Sequence, residues 1–390
     1  MSSSEAVVDL AAIRANTAFL RAGTDAEVMA VVKADGYGHG LLPAASAALA
    51  GGASWLGVAL LDEALALRTG GITAPTLAWL WAPGEAHQLR AAIEADVDVS
   101  VSSTWQLDAV RAVAAAVGRP ARIHLKIDTG LARNGAWVDD WPVVVEAAAW
   151  AESTNDVTVI GIWSHFVYAD EPAHSTVTAQ IDAFGRALDV ARSSGIVPQL
   201  RHLANSAATL TRPDAHFDLV RPGIAIYGLN PVPSVPAPAL RPAMTLRTHA
   251  ALVKNVGAGV GVSYGHQYVT SRPSTLALVP LGYADGVPRA ATNVGPVFVD
   301  GRRAVVSGRV CMDQFVVDLG PSSGAAAAVP AGAEVILFGS GRHGEPTAQD
   351  WASATGTIHY EIVTRIGARV PRRYVDSDLD GDGDGDGAPT

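Results

Sequence analysis

The sequence predicts an α/β fold: an N-terminal (β/α)8 barrel followed by a mostly β domain. Two observations carry this. Eight short apolar runs alternate with helical segments up to about residue 225, and the pattern then changes across a proline cluster. The runs fall at 28–32, 55–59, 76–80, 97–101, 123–127, 157–163, 200–204 and 218–220. Between them lie alanine-rich helical segments, among them 41–50, 85–95, 104–117, 143–151 and 178–192. Alternating strands and helices demand a parallel sheet, and eight units is the number that closes into a barrel. An open doubly wound sheet is the competing arrangement. It favours a glycine fingerprint after its first strand, and Lys33-Ala34-Asp35-Gly36-Tyr37-Gly38 is not one.

Past residue 230, Pro231, Pro233, Pro236, Pro238 and Pro242 crowd together and read as an extended linker. Strand-like runs then return between glycine turns, at 245–253, 275–279, 297–299, 304–306, 314–319 and 334–338, while only 348–354 reads as helical. The expected division is a barrel over 1–235, a mostly β domain over 236–375 and a disordered acidic tail over 376–390. In that tail Asp378, Asp380, Asp382 and Gly383 imitate the start of a calcium loop. Pro389 stands where the bidentate glutamate belongs, so no metal site is expected.

Net charge is −10, but six aspartates lie in 376–386, which leaves −4 for the other residues. There is no basic stripe, and nucleic-acid binding is not expected. No stretch is apolar for long enough to span a bilayer. Met1-Ser2-Ser3-Ser4-Glu5 lacks the basic start and apolar core of a secretory signal, and the single Cys311 suits a reducing compartment. A cytoplasmic protein is therefore expected.

Lys33 ends the first apolar run, directly before a glycine-punctuated loop. Residues at the carboxyl ends of barrel strands face the active-site mouth. A lysine there, with apolar residues 29–32 behind it, is partly desolvated, which lowers its pKa and suits it to Schiff-base chemistry with an aldehyde. A solvent-facing lysine that caps the strand fits the same spacing. His124, Lys126 and Asp128 alternate with Leu125 and Ile127 and so share one strand face. A lysine pointing into a barrel must be paired or neutralised, and an ion pair with Asp128 is the simplest solution. Asn205-Ser206 follow the seventh run and Arg221-Pro222-Gly223-Ile224 the eighth. Those are the two loops in which barrels commonly bind phosphate through backbone amides.

The segment Ala30-Val31-Val32-Lys33-Ala34-Asp35-Gly36-Tyr37-Gly38-His39-Gly40 resembles the pyridoxal-phosphate attachment signature of bacterial alanine racemases. The resemblance covers almost the whole chain and fails only in the acidic tail. It continues through Lys126-Ile127-Asp128-Thr129-Gly130-Leu131-Ala132-Arg133, Ser164-His165-Phe166, His202-Leu203-Ala204-Asn205-Ser206-Ala207 and Val220-Arg221-Pro222-Gly223-Ile224. Further on it includes Gly261-Val262-Ser263-Tyr264-Gly265, Gly282-Tyr283-Ala284-Asp285-Gly286, Gly308-Arg309-Val310-Cys311-Met312-Asp313-Gln314 and Tyr360-Glu361-Ile362.

This resemblance implies a pyridoxal-phosphate-dependent racemase that interconverts L- and D-alanine, supplies D-alanine for peptidoglycan and works as a homodimer with shared sites. Inverting an α-carbon needs proton removal on one face and delivery on the other, so two groups must flank it. The family implies Lys33, which also carries the cofactor, and Tyr264 of a second subunit. A free tyrosine, with a pKa of about 10, is too weak an acid to serve as a base at neutral pH without help. His165 and Arg221 are the neighbours the family offers. By the same resemblance Tyr37, His165, Asn205, Ser206, Gly223, Ile224 and Tyr360 hold the cofactor, chiefly at its phosphate. Arg133 meets its phenolic oxygen and lies near the substrate carboxylate, and Lys126 matches a lysine that is often carbamylated to an anion that orients Arg133. Met312 and Asp313 are expected beside the substrate, and Asp170, Arg289 and Arg309 along the passage into the site.

Arg221 falls, by resemblance, beside the pyridine nitrogen, where many pyridoxal-phosphate enzymes place a carboxylate. An arginine keeps its proton, which leaves the ring nitrogen without one and mutes carbanion delocalisation. That favours proton exchange. The structural alternatives are a barrel-mouth salt bridge for Arg221 and a core or edge position for Tyr264. Cys311 is expected as a small buried hydrophobe. A decarboxylase on the same two-domain plan is the nearest rival, opposed by Arg221 and the Tyr264 segment. A non-catalytic cofactor-binding barrel would lack residues 236–375. A broader racemase acting on serine or larger amino acids stays open.

Overall fold

The computed structural model describes residues 4–232, 234–235 and 239–376. The calcium-like loop and the rest of the acidic tail from residue 377, with Pro233, Pro236 and Pro238 of the linker, lie outside the described residues. The chain forms two compact units. One comprises Arg14–Pro242 and Thr357–Ile366, the other the described residues of 1–13, 243–356 and 367–376.

The first unit is the barrel. Its strands are Glu27–Val31, Trp55–Val58, Thr76–Ala78, Asp98–Val101, Ala121–Lys126, Val157–Trp163, Leu200–His202 and Leu219–Val220, one at each expected run. Strands one to seven pair in parallel in chain order, and strand eight pairs back onto strand one through Glu27–Leu219 and Val28–Val220. The seam between strands seven and eight is bridged rather than fully laddered. Asp218 N–H donates to Arg201 O, Arg221 N–H donates to Ala204 O, and Arg201 forks onto the Asp218 carboxylate at 2.7 and 2.8 Å. Barrel strands are buried on both faces, which is why most of their residues are apolar, while Asp98, Ser100, His124, Lys126 and His202 are polar groups buried among them. Met29, Trp55, Leu77, Ile160, Leu200 and Leu219 pack together as one core cluster.

The helices between the strands follow local signals. Thr104–Val117 starts at Ser103, whose Oγ accepts Gln106 N–H, and stops at Gly118 in the left-handed conformation. Strand one ends at Val31, two residues short of the lysine. Ala34, Asp35, Gly36, Tyr37 and Gly38 then all take positive φ, between 53° and 81°, forming a left-handed turn directly after Lys33. Such a conformation costs about 1–2 kcal/mol per non-glycine residue. Glu63 braces it. Its Oε1 accepts Ala34 N–H at 2.6 Å and its Oε2 accepts the N–H groups of Ala59 and Leu60.

The second unit holds a six-stranded sheet in the order Arg302–Val305, Pro296–Val299, Glu334–Phe338, Met244–His249, Glu5–Asp9, Arg372–Val375. A three-stranded sheet of Leu252–Val256, Ser274–Val279 and Phe315–Pro321 and a small ribbon of Gly261–Val262 with Tyr268–Val269 complete its strands. Three differences from the sequence reading stand out. Residues 5–9 form a strand of this unit, antiparallel to Met244–His249, so the barrel does not start at residue 1. Their burial alternates, with Ala6 and Val8 fully buried between half-exposed neighbours, as a sheet packed on one face requires. The single run expected at 245–253 breaks at Ala250–Ala251 into strands of two sheets. Besides the expected helix, here Ala348–Thr355, a second helix covers His359–Thr364 and belongs to the barrel unit. Six residues are too few to show a helical period. Among the described residues, no helix is long and apolar enough to cross a membrane.

Candidate active site

A cavity of about 670 Å³ opens in the barrel unit and is lined from the carboxyl ends of its strands. Lys33, Lys126, Arg133 and Arg221 reach into it, and no carboxylate is among its lining residues. Trp79 and Trp163 form apolar walls; the Lys33 Nζ lies 5.8 Å from the Trp79 ring centroid and the Lys126 Nζ 4.0 Å from that of Trp163.

Burial lowers the Lys33 pKa, with Arg133 acting in the same direction and Glu63 against it. Lys126 is only 2% exposed, and burial, then Arg221 and Arg133, bring it down to about 7. Its amine donates to Asn134 Oδ1, not to Asp128, so the simple ion pair expected from the spacing does not form. Asp128 is committed elsewhere. Its Oδ1 accepts the N–H groups of Gly130, Leu131 and Ala132, and its Oδ2 that of Arg133. That carboxylate folds the loop which delivers Arg133 to the cavity.

Arg221 is 4% exposed and has no carboxylate among its hydrogen-bond partners, which removes the salt-bridge alternative. Its Nη1 meets His202 Nδ1 at 3.1 Å, and its Nη2 donates to the carbonyls of Ser164 and Leu203. Desolvation lowers it to about 9, which still leaves it protonated at neutral pH. Burial, then Arg221 and Lys126, hold His165 well below its usual value. His165 is therefore a neutral hydrogen-bonding group here, not a cation.

On another wall, Ser206 Oγ accepts the N–H groups of Gly223 at 2.7 Å and Ala225 at 3.3 Å. Gly223 has an ordinary φ of −111°, so backbone freedom is not its purpose. Space is: a Cβ there would meet Tyr37 Oη at 2.3 Å. Tyr37 packs against Tyr227 and Tyr360 with ring centroids 5.0 and 6.3 Å away. Burial raises both Tyr37 and Tyr360 above the ordinary tyrosine range, so each remains an O–H donor. Ile224 also lines this wall, and Asn205 caps the following helix through Ala208 N–H.

The remaining expected residues do not line the cavity. Tyr264 lies in the second unit, opens a short turn after Ser263 and is 71% exposed. Met312 is exposed, and Asp313 pairs with Arg369 at 2.8 Å, an arginine that also holds Asp285. Arg309 is half-buried with its guanidinium beside Gly265, while Arg289 and Asp170 are exposed. Cys311 is half-buried with its Sγ 3.4 Å from Ser263 Oγ, less enclosed than expected. The sequence reading missed Trp79, Trp163 and Asn134. Both tryptophans sit at the carboxyl ends of expected strands, a position that by itself aims them at the mouth.

Residues 8–231 match the alanine racemase N-terminal domain family, and residues 243–374 match the alanine racemase C-terminal domain family. The chain belongs to the alanine racemase family. It is an enzyme, an isomerase of that family. The alanine racemase of Frankia casuarinae is 59% identical over 374 residues, 95% of this chain and 96% of the relative. That of Salinispora arenicola is 60% identical over 375 residues, 96% of this chain and 99% of the relative. The crystal structure of alanine racemase from D-cycloserine-producing Streptomyces lavendulae has a TM-score of 0.93 and 54% identity, covering 97% of this chain and 98% of that one. An eight-stranded barrel followed by a mostly β domain is thus the fold of this chain and of its family.

Proposed function

We propose that the chain interconverts L- and D-alanine using pyridoxal phosphate held in the barrel cavity. One observation carries this: two arginines and two desolvated lysines line a cavity without a carboxylate. That is a receptor for an anionic aldehyde. The space beside Tyr37 Oη, which a side chain at 223 would fill, supports a phosphate at that wall. Pyridoxal phosphate, when bound, supplies an aldehyde that links to amines and a conjugated ring that acidifies the neighbouring Cα–H.

The residues of the chain do the rest. Tyr37, Ser206, Gly223, Ile224 and Tyr360 take the phosphate, with Asn205 holding that loop in shape. Arg221 donates to the ring nitrogen and, as a cation, leaves it without a proton. Arg133 takes the phenolic oxygen and the substrate carboxylate, and neutral His165 adds a hydrogen bond. The Lys33 Nζ removes or returns the Cα proton on one face. Tyr264 does so on the other, from the partner subunit of a homodimer, and its 71% exposure in one chain supports that assignment. Met312 and Asp313 accompany it toward the substrate, and Asp170, Arg289 and Arg309 line the passage. Lys126, with a pKa near 7, presents the neutral amine that adds carbon dioxide with loss of a proton, giving an anion that orients Arg133. The enzyme works in the cytoplasm and supplies D-alanine for peptidoglycan.

The test is a racemase assay on alanine, serine and lysine, with and without added pyridoxal phosphate. Alanine should turn over fastest. In Lys33→Ala the visible absorbance of the bound cofactor and the activity should vanish together; a variant that keeps both sinks the proposal.

A further inference from the structure

A continuous line of hydrogen bonds crosses the interior of the barrel. Arg122 Nε and Nη2 donate to Asp98 Oδ1 and Oδ2 at 2.6 and 3.2 Å. Asp98 Oδ2 lies 3.0 Å from His124 Nε2, His124 Nδ1 lies 2.8 Å from His202 Nε2, and His202 Nδ1 lies 3.1 Å from Arg221 Nη1. Asp98 is 1% exposed, and both histidines are fully buried. The members come from strands four, five and seven and from the segment after strand eight, so the line must pass strand six. There the chain has Gly161, where a Cβ would lie 2.3 Å from His124 Nδ1. Its φ is not in the left-handed region, so the glycine serves space alone. The ladder between strands five and six also shifts register between Ile123 and His124.

The two ends allow one proton arrangement. A carboxylate only accepts, so His124 Nε2 must carry a hydrogen; a guanidinium only donates, so His202 Nδ1 must not. Two neutral imidazoles, each protonated at Nε2, satisfy every contact. A second proton on either ring would set N–H against N–H. Burial and the nearby Arg221 cation oppose such a proton on His202.

We propose that Asp98, acting through His124 and His202, is a positioning residue for Arg221: it fixes the proton arrangement that turns a lone pair on His202 Nδ1 toward the guanidinium. The proposal rests on the reading of Arg221 as the group at the cofactor's ring nitrogen. In Asp98→Asn the amide faces two demands that it cannot meet together. With its NH2 toward His124 both imidazoles reverse, and His202 Nδ1–H confronts Arg221 Nη1–H. With its oxygen toward His124, its NH2 confronts Arg122. Either arrangement leaves a buried donor without an acceptor.

The first measurement uses the apo-protein labelled with ¹⁵N-histidine, with His202 assigned through His202→Gln. Ring-nitrogen NMR should show His202 protonated at Nε2 and bare at Nδ1 in the wild-type protein; in Asp98→Asn the pattern reverses where the amide turns its NH2 to His124 and is kept where it turns its oxygen. The second uses the holoenzyme: Asp98→Asn and Gly161→Ala should each lower kcat about tenfold, the equivalent of one lost buried hydrogen bond, with the KM for alanine little changed. A hydrogen on His202 Nδ1 in the wild-type protein overturns the proposal even if no variant folds. So does wild-type kcat in both variants. A wild-type protein that binds no pyridoxal phosphate overturns the functional reading instead, because the histidine pattern is read without cofactor.

Discussion

Replacing Gly223 by alanine tests the anion-binding wall at one carbon atom. The added Cβ would lie 2.3 Å from Tyr37 Oη and 2.9 Å from its Cζ, whereas ordinary contact begins at 3.4 Å. The phenol must therefore retreat by about 1 Å, and little is free to yield. Tyr37 is 8% exposed, packs against the tilted rings of Tyr227 and Tyr360, and has its backbone fixed at a φ of 53° in the left-handed turn. Overpacking of this kind costs about 1–3 kcal/mol of stability. Displacing the hydroxyl also removes one charge-assisted hydrogen bond to phosphate, worth about 1.5–3 kcal/mol, which corresponds to roughly a 10- to 100-fold loss of cofactor affinity. Trp79 and Trp163 line the same cavity, so quenching of tryptophan fluorescence during titration of the apo-protein with pyridoxal phosphate reads the Kd directly. Tyr37→Phe should lose similar affinity without the strain, and the double variant should lose scarcely more than either single one. Wild-type affinity in a folded Gly223→Ala protein would refute the phosphate assignment of this wall.

Tyr264→Phe should lower kcat/KM equally in both directions, because the enantiomers have equal free energy. Exchange of the Cα hydrogen with solvent deuterium should persist for the one enantiomer served by Lys33, and equal loss from both would contradict the two-base division. Sedimentation should find the active species to be a dimer; a fully active monomer would exclude a shared site. Lys126 has a native pKa of about 7 against 10.5 unfolded, so between these values the unfolded chain binds more protons and native stability rises with pH. Lys126→Met should remove that slope and be the more stable protein at pH 7 by a few kcal/mol. Urea unfolding of the apo-protein in carbonate-free buffer at pH 7 and pH 9.5 measures this, and an unchanged slope would show that the amine is not desolvated.

The barrel and its reactive lysine were legible because their causes are local. A parallel strand buried on both faces tends to be apolar along its length, so Met29–Val31 and Trp55–Val58 announce themselves without reference to any partner. Lys33, Ser206 and Gly223 follow such strands directly, and a barrel turns those positions toward its mouth. The helix carrying Tyr360 is six residues long and leaves no period to read. The strand Glu5–Asp9 alternates in burial but not in its residues, where Ala6-Val7-Val8 run together, and its partners lie at Met244–His249 and Arg372–Val375. Nothing within five residues specifies pairing over such a separation.

By itself, then, the sequence determined where the eight barrel strands lie and which residues sit at their carboxyl ends, because burial on both faces leaves a local apolar mark on the chain. Only the tertiary structure decided what those side chains meet. It turned Asp128 from a partner of Lys126 into the organiser of the Arg133 loop, and gave Arg221 a neutral histidine in place of a carboxylate. It also drew Asp98, His124 and His202 from three strands into one line past Gly161. Hydrogen bonds between strands depend on barrel closure and on a single missing side chain, and neither leaves a periodic trace in the residues that use it.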